Sequence, residues 1–142
     1  MALIQIIYVS SLSDIKLEHD IGKVLESSIR HNKENGITGM LLYANGNFLQ
    51  VLEGEAEAVE KTFTRICADP RHYDIIHLIS EPIAQRHFSQ WSMGYQHLSD
   101  NYLREFPKYV PFFKFHANDE AIRAKPGIAL ELLRQFSIDN RW

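Results

Sequence analysis

Hydrophobic and polar positions change period several times along the chain, and each change marks an element. The opening "ALIQIIYVS" is short, β-branched and aromatic, which predicts a buried strand over about residues 2–9. From Asp14 to Asn32 the apolar positions Leu17, Ile21, Val24, Leu25 and Ile29 take the three-and-four spacing of an amphipathic helix, closed by "NKENG" before Gly36. "ITGMLLYANGNFLQVLEG" holds two apolar runs around Asn45-Gly46, a dipeptide that supplies the positive φ angles of a tight hairpin, so the second and third strands are antiparallel. Alternation along the third strand puts Phe48, Gln50 and Leu52 on one side and Leu49 and Val51 on the other. "EAEAVEKTFTRICADP" has Glu residues in its first turn and Pro70 just past its end, predicting a second helix over about 55–68. "HYDIIHLISEPI" reads as a fourth strand and "FSQWSMGYQHL" as a fifth.

The order β-α-β-β-α-β-β is the split pattern of a ferredoxin-like α+β sandwich, with a five-stranded mixed sheet and both helices on one face. The opposite face is apolar as well and needs a cover. Beyond residue 98 the chain offers a helical turn near "NYLREF", an aromatic Pro-containing connector "PKYVPFFKF", and a helix over about 126–137 with a stripe of Ile128, Leu132, Leu133 and Phe136. That stripe suits the sheet or a partner. The expected organisation is a domain over 1–98 with a C-terminal helical extension over 99–142.

Composition narrows the function. A chain of 142 residues with 45% hydrophobic content can bury a core of its own. Its formal charge of -3 and scattered Lys and Arg residues supply no basic field for nucleic acid. No apolar run approaches the roughly 20 residues of a membrane-spanning helix. The single cysteine, Cys67, excludes an internal disulfide, and "MALIQIIYVSS" lacks the pattern of a signal peptide, so a cytoplasmic location is expected.

Gln50 sits among Phe48, Leu49, Val51 and Leu52, and an amide buried without partners costs roughly 1–3 kcal/mol. Its partner is a backbone group, a water, or a ligand with hydrogen-bonding edges. On the first helix the apolar stripe through Ile21 and Leu25 becomes polar at Ser28 and Asn32, flanked by His31; on the second, Arg65 and Asp69 lie four apart beside Val59, Phe63 and Ile66, and His72 follows. Two such helices side by side would enclose an apolar cleft with a few convergent polar groups, the usual makeup of a small-molecule pocket. Read singly, each of these residues has an ordinary structural explanation: a local backbone bond, a surface ion pair, a surface histidine. Tyr8, Trp91 and Met93 are likewise ordinary core side chains when taken alone.

The seven histidines show no spacing of the kind zinc sites display, so no metal is expected. Cys67 is expected to face a helix interior and has no evident base. A P-loop, a G-x-G-x-x-G turn and a nucleophile elbow are absent, and the aromatic pattern of RNA-binding RRM domains is missing from "ITGMLLY" and "NFLQVLE".

Together, Tyr8, "HNKENGITGMLLY" at 31–43, "GNFLQVLEG" at 46–54, "RICADPRHY" at 65–73 and "FSQWSMG" at 88–94 resemble the BLUF domain, a blue-light receptor that binds FAD. The likeness covers about residues 1–98 in order, and the extension is similar in character to those of short, stand-alone members. The resemblance implies a flavin between the two helices, with Asn32 and Gln50 on its polar edge and Ser28, His31, Arg65, Asp69 and His72 in or near the site. The family carries Asn or His at position 31. FMN or riboflavin could substitute for FAD. Tyr8 and Gln50 would be the photoactive pair, and Trp91 and Met93, two apart on the fifth strand and turned to one face, compete in relatives for the place near Gln50.

The same resemblance implies a light-gated interaction module without enzymatic turnover, acting on an unidentified protein partner and forming a homo-oligomer, with no direct nucleic-acid or membrane partner. Two other classes stay open on the residues alone: a ferredoxin-like enzyme of the acylphosphatase type, which would want a Gly-rich anion loop where "SSLSDIKL" stands, and a light-independent binding module.

Overall fold

The computed structural model describes residues 2–115 and 126–139. Strand β1 (Leu3–Leu12) is followed by a 3-10 segment (Ile15–Asp20), helix α1 (Ile21–Asn35), strands β2 (Thr38–Ala44) and β3 (Asn47–Glu55), and helix α2 (Ala56–Cys67). Strands β4 (His72–Ile83) and β5 (Gly94–His97) come next, then helix α3 (Asp100–Glu105), a second 3-10 segment (Pro107–Phe113) and helix α4 (Pro126–Asp139). The sheet order is β4-β1-β3-β2-β5, antiparallel throughout except for the parallel β2–β5 pair. This is the expected ferredoxin-like mixed sheet.

The local chemistry explains most boundaries. Asn45 and Gly46 both take positive φ, 54° and 76°, the geometry that lets a two-residue turn follow the twist of β2 and β3. Gly36 closes α1 in the left-handed region at φ 66°, its N–H returning to the Asn32 carbonyl. The first helix does not begin at Asp14 as expected. The Asp14 side chain caps a 3-10 segment by accepting from the Lys16 amide, and the α-helix starts only at Ile21.

Two apolar layers enclose the sheet. On one face Ile6, Leu41 and Leu52 pack with Val59 of α2, supported by Leu25 and Ile29 of α1 and Phe63 and Ile66 of α2. On the other, Ile7, Val9, Leu42, Leu49 and Val51 pack beneath Tyr109, Phe112, Phe113, Ala129, Leu132 and Leu133. The α4 stripe therefore covers the sheet, with Ile128 and Phe136 at its margin. Two carboxamides clip the cover to the hairpin, since Asn45 Nδ2 and Asn47 Nδ2 both donate to the Phe113 carbonyl, at 3.0 and 2.7 Å.

The expected fifth strand is shortened. Only Gly94–His97 joins the sheet, and residues 84–93 run as an irregular segment. The Trp91 amide there turns back to the Phe88 carbonyl and the His87 and Phe88 amides go to a side chain, so no ladder forms. Cys67 is exposed rather than inward-facing, because at the last residue of α2 it sits about 100° round the helix from Ile66, which faces the sheet.

Candidate functional site

Register places Tyr8 of β1 directly opposite Gln50 of β3, on the sheet face that carries α1 and α2. Both are buried, and the Tyr8 phenol donates to Gln50 Oε1. Gln50 Nε2 donates to Met93 Sδ at 3.3 Å, a weak acceptor, so the amide keeps donor capacity for a better one. Phe63 and His72 wall the phenol, with ring centroids 5.3 and 6.4 Å away. Burial, reinforced by Cys67 and Asp69, pushes the Tyr8 phenol far above its usual range, so it stays a neutral O–H donor.

Asn32 reaches the same region from the last turns of α1. It is 2% exposed, and its Nδ2 donates to the Ser92 carbonyl at 2.7 Å, while no described residue donates to its Oδ1. Asn32 and Gln50 thus each hold one point of a single short segment, Ser92 and Met93; Asn32 keeps its Oδ1 uncommitted among the described residues, and Gln50 keeps the second hydrogen of its amide nitrogen.

His31 joins the two helices. The Arg65 guanidinium can only donate, so His31 Nδ1 accepts from Arg65 Nη1 at 3.0 Å and Nε2 carries the proton toward Thr62 Oγ1 at 3.1 Å. Burial first, and Arg65 second, hold the His31 imidazole below its ordinary value against the opposing pull of Glu34. His72 is fixed in the same way: Nε2 donates to the Ile66 carbonyl at 2.5 Å and Nδ1 accepts from Ser10 Oγ at 2.8 Å. Its tautomer follows from the carbonyl, which can only accept.

Two expectations need correction. Arg65 and Asp69 do not pair: Asp69 takes a bidentate bond from Arg71, whose guanidinium holds its carboxyl below the usual range. Asp69 lies past the end of α2, where four-residue helical spacing no longer applies. Trp91 and Met93 do not share a face either. Met93 packs with the α1–α2 layer beside Gln50, whereas Trp91 packs against the opposite core. Residues 84–93 are not a strand, so alternation by two does not hold there. Ser28 is half-buried on α1.

The sequence pattern did not single out Thr62, the partner of His31, nor Glu53. One signal for Glu53 was available: period two along β3 puts this carboxylate on the same inward face as Leu49 and Val51. Among the described residues no group of three or more His, Cys, Asp or Glu could hold a metal, and no helix is long and apolar enough to cross a membrane.

Comparison with known proteins identifies the family. The family model for BLUF, sensors of blue light using FAD, matches residues 3–94. The blue light- and temperature-regulated antirepressor BluF of Escherichia coli (strain K12) is 31% identical over 126 residues, covering 85% of this chain and 31% of that protein. The photoactivated adenylate cyclase subunit beta of Euglena gracilis is 34% identical over 87 residues, 61% of this chain and 10% of the other. The chain thus spans about a third and a tenth of the length of these curated relatives. The dark-state structure of BlrB, a BLUF protein, superposes with a TM-score of 0.70 at 30% identity, covering 92% of this chain and 97% of that one. With 92 consecutive positions matched, from β1 through the start of β5, the chain belongs to the BLUF family of blue-light flavin sensors.

Proposed function

We propose that this chain binds a flavin, FAD by preference, between α1 and α2, and that light is registered by a rearrangement of the Gln50 amide. The observation that carries the reading is the buried Tyr8–Gln50 hydrogen bond, with Met93 on the other end of the same amide. The donor set suits such a cofactor. Gln50 keeps an amide hydrogen for a carbonyl, and Asn32 Oδ1 can accept from a ring N–H; the apolar walls Leu25, Ile29 and Phe63 suit a planar aromatic body. In this reading Ser28, His31, Arg65 and His72 flank the flavin, with Asp69 nearby, its carboxylate held by Arg71.

Bound flavin supplies, once it has absorbed blue light, a strong one-electron oxidant. With a flavin held there, Tyr8 would be the donor of the electron that this oxidant takes, its phenolic proton passing along the bond to Gln50 Oε1; electron and proton would both return to Tyr8, so no net oxidation would remain. Gln50 is left rotated or as the other tautomer, donating differently. A carboxamide suits this because donors and acceptor share one rotatable plane. The change is worth about 0.5–1.5 kcal/mol, enough to shift a balanced equilibrium roughly two- to tenfold.

Met93 carries the change away from the cleft. β5 begins one residue later and runs into α3 and the layer over the far side of the sheet, so residues 99–142 act as the output segment, altering contact with a protein partner. Antirepression and adenylate cyclase activity are named for two relatives of which this chain spans only about a third and a tenth, and no turnover is assigned to this chain. The Arg–Asn couple that an acylphosphatase-type enzyme would need is not formed, since Arg65 is engaged by His31 and Asn32 by Ser92. The deciding experiment is to purify the full chain with excess flavin. A yellow protein whose visible band moves to longer wavelength under blue light and recovers in darkness is expected; a colourless protein, or a coloured one with a static spectrum, overturns the reading.

A further inference from the structure

We propose that Glu53 is a positioning residue of the light response: from the far face of the sheet it anchors the segment that brings Ser92 and Met93 against Asn32 and Gln50. The inference rests on the flavin-photosensor function proposed for this chain. Glu53 stands three residues after Gln50 on β3, about 10 Å along the strand, and points to the opposite face. It is fully buried. Its carboxylate accepts three hydrogen bonds, from Phe88 N at 2.6 Å, His87 N at 3.0 Å and Thr38 Oγ1 at 3.0 Å.

Arg86 reinforces the anchor without touching the carboxylate. Its guanidinium donates to Thr38 Oγ1 at 2.9 Å, to the Glu53 backbone carbonyl at 3.1 Å and to the Gly36 carbonyl at 2.7 Å, tying the segment to the end of α1 as well. Beyond Phe88 the segment turns back on itself, the Trp91 amide donating to the Phe88 carbonyl at 2.9 Å. The Gly39 amide donates to the Trp91 carbonyl at 2.9 Å, and the next two residues are held by Asn32 and Gln50 themselves. One end of residues 86–93 is therefore clamped to the strand that bears the switching amide, and the other end is bonded to the amides that face the cleft. Charge-assisted bonds to a buried carboxylate are the strongest of the set, so Glu53 determines where Met93 sits when Gln50 changes partners.

The test is Glu53→Gln in the full flavin-loaded chain. The substitution is isosteric, but it replaces an acceptor oxygen with an NH2 group facing donors. The expected result is amide exchange over residues 87–93 at least tenfold faster in the dark, with an intact light-induced spectral shift that recovers at a rate altered severalfold. Thr38→Val, which removes one donor and an Arg86 acceptor while keeping Glu53, should do the same to a smaller degree and serves if Glu53→Gln does not fold. Exchange unchanged from the parent over 87–93, or loosened exchange with an unaltered recovery rate, overturns the proposal. The dark exchange measurement reads the anchor even in a protein that shows no photocycle, so failure of the proposed function and failure of this inference are separable.

Discussion

Tyr8 and Gln50 are register partners across the β1–β3 pair, and the phenol of one donates to the amide oxygen of the other inside the sheet–helix layer. The bond joins neighbouring strands, so it moves little with the helices. The photochemical role proposed for this pair would benefit from such a mount, because reacting groups must be held in a fixed geometry. Tyr8→Phe removes the hydroxyl and keeps the ring against Phe63. Flavin binding should persist and the lasting absorbance change should vanish, as followed by visible spectroscopy under blue illumination. A reversible shift of normal size in that variant removes Tyr8 from the mechanism.

Gln50 has a different part, and its removal has a different signature. In Gln50→Leu the cofactor should stay bound with a blue-shifted dark band, the Met93 sulfur losing its donor. Light should leave no persistent product. Retention of the parent photocycle would show that the information is stored elsewhere.

Gln5 is a further buried amide, and among the described residues neither its Nε2 nor its Oε1 has a hydrogen-bond partner. An unsatisfied buried polar group costs about 1–3 kcal/mol, so Gln5→Leu should raise stability by an amount of that order. Urea unfolding with an increased midpoint and unchanged slope is the expected record. A lowered midpoint would mean that an ordered water satisfies the amide.

Leu132 of α4 is fully buried against the sheet face that also holds Ile7, Val9 and Leu42. Leu132→Ala should cost about 2–5 kcal/mol, the usual range for such a cavity. A loss below about 0.5 kcal/mol would show that α4 packs on the sheet only transiently.

His31 links α1 to α2 only while Nδ1 can accept from Arg65. Its folded value lies below the ordinary 6.5. Between those two values the unfolded chain binds more protons than the folded one, so the contribution of this bridge is complete above pH 6.5 and is lost as pH falls through the folded value. An NMR titration should place the His31 midpoint below 6.5, and Arg65→Met should raise it without restoring it fully, because burial is the larger cause. A parent midpoint at or above 6.5 contradicts the bridge.

Much of this was legible along the chain. The period-two pattern of β3 assigned Gln50 to one face and Leu49 and Val51 to the other, and Asn45-Gly46 identified the hairpin, because both signals are local. The segment 84–93 was not legible. Its backbone donors go to Glu53, 34 and 35 residues away in sequence, and its Arg86 reaches Gly36, 50 residues away. A run of residues such as "FSQWSM" carries strand propensity, and only distant partners keep it out of the ladder. The Asp69–Arg71 pair was missed for a related reason: spacing by four describes a helix, and α2 had ended.

By itself, then, the sequence determined the alternation of faces, the hairpin and the two amphipathic helices, since each depends on backbone period or on neighbours a few positions apart. The tertiary structure alone decided that Met93 faces Gln50 while Trp91 turns to the other core, that His31 rather than Asp69 takes Arg65, and that Glu53 holds the segment between them. Those choices are made by hydrogen bonds and packing between strands and loops far apart in the chain, and such pairings leave no periodic trace in the sequence.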